Sequence, residues 1–136
     1  MDLYLCKQVS DLSPLEALTS LQTLNLAKCK LLSDMRPLAK LTSLQSLNLF
    51  QCVSLSNWRA LAELISLRSL KLSACRGLSG DLRPLAELTS LQSLDLAECR
   101  GLSGGLSPLA GLTSLQSLDI DRCTDLAGDL GPLAEL

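Results

Sequence analysis

A cysteine recurs along this chain at nearly constant intervals. Successive cysteines are separated by 23, 23, 23, 24 and 24 residues, and they are Cys6, Cys29, Cys52, Cys75, Cys99 and Cys123. Similarity at a fixed period of this size indicates a protein built from supersecondary units that stack on one another. Each cysteine therefore marks the same position in one unit of an array.

The sequence around the cysteines repeats with the same period. After a partial block at residues 1–17, five blocks align, and they cover residues 18–40, 41–63, 64–87, 88–111 and 112–135. Leucine supplies 38 of the 136 residues, whereas Phe, Tyr and Trp occur once each. A core made from one branched side chain packs well only where the same gap recurs. We therefore predict a single domain of stacked repeats over residues 1–136, without recognisable caps.

Each block divides into a strand and a return path. The segment Leu-x-Leu, as in Leu94-Asp95-Leu96, alternates apolar and polar residues, which predicts a half-buried strand. A Pro-Leu-Ala stretch later in the block predicts a short helical turn, because proline is tolerated at the first helical position. Ser13 and Ser107 precede their prolines, and we expect them to cap these turns. Stacked blocks would align their strands in parallel and fill one continuous core with leucine.

The pattern L-x-x-L-x-x-L-x-L-x-x-C-x-x-L, present five times, resembles the leucine-rich repeat. The tail S-D-x-x-P-L-A-x-L-T-S-L is similar to the short repeats of internalin-like bacterial proteins, which usually carry Asn in place of the cysteine. A cysteine there resembles ribonuclease-inhibitor, F-box and plant immune-receptor repeats. The resemblance implies an α/β right-handed solenoid, with parallel strands on the concave face and short helical or 3-10 turns on the convex side. It also implies protein binding as the common activity.

We expect the cysteines to form a buried ladder of thiols, each acting as a small apolar group and a weak donor. Disulfides between neighbouring turns are the alternative, but parallel Cβ atoms would stay about 4.8 Å apart, wider than a disulfide favours. Zinc is disfavoured because the chain has no His and no C-x-x-C pair. Reduced thiols, together with the absence of a signal-peptide pattern, predict a cytoplasmic protein unless the chain is a piece of a longer one.

Side chains that flank the strand leucines point away from the core and define the concave face. Their identity changes from block to block, which favours a binding surface, although unconstrained solvent positions would also vary. Phe50 is the candidate anchor for a partner, or else it folds over a neighbouring strand. Trp58 is expected to fill local space on the convex side. The candidate binding residues form three rows: Tyr4, Asn25, Asn48, Lys71, Asp95 and Asp119; then Phe50 and Asp121; then Lys28, Glu98 and Arg122.

Asp95 and Asp119 occupy equivalent places in adjacent blocks, so their carboxylates could approach each other. Oxygen-rich sites of this kind can hold Ca²⁺. The surrounding sequence D-I-D-R-C-T-D matches no calcium-loop spacing, however, and a row of acidic residues is ordinarily just solvated. The sequence therefore leaves an ion site open without favouring it.

Several classes of function are disfavoured. Without His, Ser–His and Cys–His nucleophile pairs are impossible, and the glycines of R-G-L-S-G-G lack the Lys-Ser/Thr of a P-loop. A net charge of −2 gives no strong attraction to nucleic acid, and no apolar run is long enough for membrane insertion. Residues 1–68 carry seven basic and five acidic residues (+2), and residues 69–136 carry five and nine (−4). We expect no catalysis and no cofactor.

Neither end of the array shows a polar capping segment, so we expect two leucine-lined edges to be exposed. The leading hypothesis is a non-catalytic protein–protein interaction module that binds a protein partner through its concave face. The alternative is a structural or self-assembling repeat scaffold that associates end to end.

Overall fold

A computed structural model of the protein describes residues 1–128 and 130–134. Short β-strands and 3-10 helices occur along that part of the chain, with one strand between successive helices at first and two from Ser69 onward. The strands are β1 (Thr23–Asn25), β2 (Ser46–Asn48), β3 (Ser69–Lys71), β4 (Ser79–Gly80), β5 (Ser93–Asp95), β6 (Gly101–Gly104), β7 (Ser117–Asp119) and β8 (Asp125–Leu126). The helices are η1 (Ser13–Leu15), η2 (Arg36–Lys40), η3 (Arg59–Glu63), η4 (Arg83–Leu85), η5 (Ser107–Leu109) and η6 (Gly131–Leu133). Asp129, Glu135 and Leu136, which belong to the predicted block 112–135 and to the end of the predicted domain, lie outside the described residues.

The main sheet contains five parallel strands in the order β1-β2-β3-β5-β7. Equivalent residues of successive blocks pair in register, so Leu47 lies opposite Leu24 on one side and Leu70 on the other. This register holds because the side-chain period of two must keep every strand leucine on the same buried face. The parallel sheet on the concave face confirms the predicted solenoid.

The core is a single column of leucines. The strand leucines Leu24, Leu47, Leu70 and Leu94 are each no more than 2% exposed. Trp58 joins the same cluster from the convex side, where it fills local space as predicted. Burial of each such side chain contributes roughly 1.5–3 kcal/mol, so stacking of the turns supplies the main driving force for folding.

A second sheet of three parallel strands, β4-β6-β8, lies on the return path and was not predicted. It occurs where the blocks are 24 residues long. Gly101 lies in β6 itself, and Gly77 lies just before β4; both allow close approach to the preceding turn. A Cβ on Gly77 would sit 2.5 Å from the carbonyl oxygen of Leu55. A Cβ on Gly101 would collide in the same way with the carbonyl oxygen of Leu78. The R-G-L-S-G motif is therefore a close-packing site.

The helical turns follow the prediction, with proline within the first two residues of η1, η2, η4, η5 and η6. The expected serine caps are wrong. Ser13 and Ser107 are the first helical residues, and neither helix has a side-chain cap hydrogen bond. The carboxylate of Asp11 instead accepts the Ser13 N–H at 2.8 Å and its hydroxyl at 2.7 Å. An acceptor two residues earlier thus organises the turn.

Candidate binding face

Four of the five strands of the main sheet end in a turn that an Asn or Asp side chain organises; β3 ends in Lys71 and has no such bond among the described residues. Asn48 Oδ1 accepts the backbone N–H of Phe50 at 3.0 Å, and Asp119 Oδ1 accepts that of Asp121 at 2.9 Å. The same bond links Ala27 to Asn25 and Ala97 to Asp95, at 3.1 Å in each case. Four of the predicted binding residues therefore also have a local structural task, which favours Asn or Asp at their positions.

The residue before each cysteine has a positive φ. These residues are Leu5, Lys28, Gln51, Ala74, Glu98 and Arg122, with φ between 57° and 64°. Such left-handed conformations are uncommon outside glycine and turn the chain sharply. The predicted binding residues in this set are consequently held at the rim of the face rather than on the strands.

Tyr4 belongs to a different row from the one predicted. Asp2, not Tyr4, pairs with Asn25 in the parallel sheet, and Asp2 Oδ1 accepts the Tyr4 N–H at 2.9 Å. Leu3-Tyr4-Leu5 matches the Leu-x-Leu pattern, but its centre lies two residues after Asp2, the residue that pairs with Asn25. Alignment on Cys6 would have placed Asp2 beside Asn25, and Tyr4 in the row of Phe50.

Two lysines and two aromatic rings form a continuous row across the turns. Lys28 Nζ donates a hydrogen bond to the Tyr4 hydroxyl at 3.0 Å and lies 5.3 Å from the centre of the Tyr4 ring. Lys28 Nζ is also 5.9 Å from the centre of the Phe50 ring, and Lys71 Nζ is 5.5 Å from it. Contacts of this kind at exposed sites contribute about 0.5–1 kcal/mol each. Phe50 therefore lies between two ammonium groups and remains partly exposed.

Asp95 continues the row into the acidic half of the face. Its carboxylate oxygen Oδ2 lies 3.6 Å from Lys71 Nζ and accepts the hydroxyl of Ser73 at 2.8 Å. Lys71 and Ser73 therefore position the Asp95 carboxylate. Across the described residues, no group of three or more acidic or thiol side chains is arranged to hold a metal ion.

A second set of ion pairs lies at the rim. Glu98 contacts Arg76 at 3.2 Å and Arg122 at 3.6 Å, and Arg122 also contacts Asp121 at 3.3 Å. All these side chains are partly or largely exposed, so each pair adds little to stability. Asp119 and Asp121 remain exposed on the last strand and its turn, at the opposite end of the face from Lys28.

All six cysteines are free thiols, and five of them are buried. Cys52 Sγ donates to the carbonyl oxygen of Leu26 at 3.1 Å, and Cys75 Sγ donates to that of Leu49 at 3.0 Å. Cys29, Cys99 and Cys123 make the same bond to the preceding turn. Burial raises the pKa of Cys52 and of Cys99 to about 12, which keeps these thiols neutral at physiological pH.

Sequence reasoning missed three residues that shape the face. Asp2 begins the row of turn-forming side chains, Ser73 orients Asp95, and Arg76 holds Glu98. The spacing to Cys6 would have found Asp2. The partners Ser73 and Arg76 carry no comparable sequence signal, because their contacts depend on the offset between adjacent turns.

The chain is similar in structure to proteins of known fold. It matches an internalin C2 of Listeria monocytogenes with a TM-score of 0.77 and 31% identity, over 94% of this chain and 53% of that one. It matches the internalin inlF of Listeria monocytogenes with a TM-score of 0.76 and 28% identity, over 95% of this chain and 36% of that one. It thus spans about a third to a half of these two proteins.

A third neighbour shares the thiol arrangement. The functional domain of InlJ from Listeria monocytogenes, which includes a cysteine ladder, matches with a TM-score of 0.71 and 19% identity, over 96% of this chain and 26% of that one. No protein-family model matches the sequence, and comparison with curated proteins gives no significant match. Within the described residues, no helix is both long and apolar enough to cross a lipid bilayer.

Proposed function

Because the chain is a leucine-rich-repeat solenoid with a cysteine ladder, we propose that it is a non-catalytic interaction module whose concave face binds a protein partner. The observation that carries this proposal is the row Tyr4, Lys28, Phe50 and Lys71. Two of the three aromatic residues in the chain lie in this one row, each beside at least one lysine. Aromatic side chains are enriched among the residues that anchor partners, and neighbouring charges steer a partner of opposite charge.

The charge distribution supports a partner with separated charges. The Lys28 ammonium group has only the neutral Tyr4 hydroxyl as its hydrogen-bond partner among the described residues, whereas Asp119 and Asp121 are exposed at the other end of the face. A partner would place acidic groups near the lysines and basic groups near these aspartates. The free thiols support our further proposal of a cytoplasmic location, because disulfides form in oxidising compartments.

The test uses variants that remove the anchors without removing the turn-forming bonds. Phe50→Ala combined with Lys28→Ala leaves Asn48 and its bond to the backbone in place. Partners recovered with the wild-type protein would be titrated against this double variant and against Lys40→Ala, a control on the convex helix η2. We expect an affinity loss of at least about tenfold for the double variant, equivalent to ~1.4 kcal/mol, and none for the control. Equal affinity for all three proteins would rule out this face.

The exposed apolar edges support the scaffold alternative. Leu18 is 37% exposed at one edge and Leu130 is 68% exposed at the other. Exposed apolar groups at the ends of a solenoid favour stacking with another copy. Light scattering across a concentration series separates the two functions: growth in mass that Leu130→Glu abolishes would support assembly, and a monomer at every concentration would exclude it.

A further inference from the structure

Block 41–63 departs from its neighbours on the convex side. The neighbouring blocks read Asp34-Met35-Arg36-Pro37 and Asp81-Leu82-Arg83-Pro84, whereas this block reads Asn57-Trp58-Arg59-Ala60. Three of four consecutive positions thus differ, and only the arginine is kept. Every other block keeps the proline and has Leu or Met two residues before it, so the loss of both features in this one block requires a local explanation.

Asn57 stands where both neighbouring blocks have Asp, so Arg59 lacks the carboxylate that its counterparts contact. Arg36 forms an ion pair with Asp34 at 2.8 Å, and Arg83 forms one with Asp81 at 2.6 Å. Asn57 Oδ1 still accepts the Arg59 backbone N–H, at 3.1 Å, so the turn itself is preserved. Arg59 forms no ion pair with any part of the chain that the structure describes.

Asp81 does not take over the missing role. Its pKa is held below the ordinary range mainly by the hydrogen bond from the Arg83 side chain, then by the bond from the Arg83 backbone, and only to a minor degree by Arg59. The Asp81 carboxylate therefore pairs with Arg83 and not with Arg59. Two guanidinium groups and one carboxylate leave this part of the surface with one net positive charge.

A cleft of about 410 Å³ lies at the same place. A Cβ built on Gly80 would meet no other atom within 4 Å, so the cleft is open beside β4. Trp58 underlies the cleft, but it is 4% exposed and belongs to the core, so it supports the floor and offers little surface to a ligand. The polar residues that line the cleft include Asn57, Arg59, Ser79, Asp81 and Arg83.

We propose that this cleft binds the oxyanion group of a small ligand. A guanidinium presents a planar fork of donors that matches carboxylate, phosphate or sulfate oxygens. Arg59 supplies that fork, and the Asn57 amide nitrogen and the Ser79 hydroxyl supply further donors. This site lies on the convex side and is independent of the concave face proposed above.

Anion binding to the cleft can be measured through a residue that the chain already contains. Trp58 is the sole tryptophan and lies directly beneath the cleft, so its fluorescence reports on this one place in the fold. Sodium phosphate, sulfate and acetate would each be titrated at constant ionic strength, with chloride as the balancing anion. Backbone amide NMR shifts, recorded in parallel, would detect binding that leaves the fluorescence unchanged. The three anions distinguish a phosphate ligand from a sulfate or a carboxylate one.

Three variants test the assignment. Asn57→Asp restores the ion pair found in the two neighbouring blocks and should weaken anion binding at least about fivefold while preserving the turn. Arg59→Ser, which introduces the residue found at the equivalent positions 13 and 107, should abolish binding. Arg36→Ser is the matched control and should leave binding unchanged. Saturable binding with this pattern supports the proposal. The absence of saturable signals in both measurements overturns it, as does equal weakening by Arg36→Ser.

Discussion

The Lys28 ammonium group and the Tyr4 hydroxyl, 24 residues apart in the sequence, meet at 3.0 Å on adjacent turns of the solenoid. The contact joins the first turn to the second on the concave face. Both groups lie at the surface, so water competes for the same hydrogen bond.

Tyr4→Phe removes that hydrogen bond and keeps the ring beside Lys28. We expect the free energy of unfolding to fall by no more than about 0.5–1 kcal/mol, because a solvent-exposed hydrogen bond has a small net value. Urea denaturation followed by circular dichroism measures this change. A loss well above this range would show that the first turn depends on the contact for its docking.

The side chain of Cys75 is fully buried, and its Sγ donates a hydrogen bond to the Leu49 carbonyl oxygen. Cys75→Ala should lower the free energy of unfolding by roughly 1–3 kcal/mol, since it leaves a small cavity. The Leu49 carbonyl oxygen keeps its bond from the Cys52 N–H, which limits the loss. Cys6→Ala is the control, because Cys6 is partly exposed and should change stability much less.

Alkaline pH should destabilise the protein through the buried thiols. The pKa of Cys52 and of Cys99 is raised from 9.0 to about 12 by burial, so the folded state keeps protons that the unfolded state releases above pH 9.0. Stability is therefore fully present below pH 9.0 and falls as the pH rises toward 12. Urea midpoints between about pH 8 and about pH 10.5 measure the slope. The double variant Cys52→Ala/Cys99→Ala should show a shallower decline, and an identical decline would contradict the assignment.

Gly77→Ala tests the close approach between turns. Its new Cβ would lie 2.5 Å from the Leu55 oxygen and 2.6 Å from the Val53 oxygen, so the backbone must shift. We expect a loss of roughly 2–4 kcal/mol, in the range of overpacked cores or above. Gly105→Ala is the matched control, since its Cβ would have no neighbour nearer than 3.9 Å. Thermal melts of the two variants should differ clearly, and similar melting temperatures would refute the packing argument.

The main sheet could be predicted because the residues that form it recur at a fixed spacing in the sequence. Leu24, Leu47 and Leu70 recur at one spacing with polar neighbours, and such a pattern is compatible with a stacked parallel strand and little else. The second sheet could not be predicted in the same way. Its strand β4 is only Ser79–Gly80, and neither residue favours a strand by itself. The strand exists because the backbone of the next turn lies alongside it.

The candidate binding face was predictable as a set of positions but not as a set of contacts. The row Asn25, Asn48, Asp95 and Asp119 followed from register, yet its backbone hydrogen bonds are local and leave no periodic trace in hydrophobicity. The packing of Lys28 against Phe50 depends on the left-handed backbone conformation of Lys28. The residue types at the equivalent positions differ and do not predict that conformation. Contacts of this kind depend on how adjacent turns are placed in three dimensions and cannot be derived from the order of residues.

Each buried thiol donates to the turn before it and to no other, as Cys75 does to Leu49 and Cys99 to Leu72. Each of these junctions consequently presents the same thiol donor and the same carbonyl acceptor. Recombination that removes or adds one whole block leaves matching groups on both sides of the new junction. A gene for such a chain can change its length in whole units, and the protein's interior requires no redesign when it does.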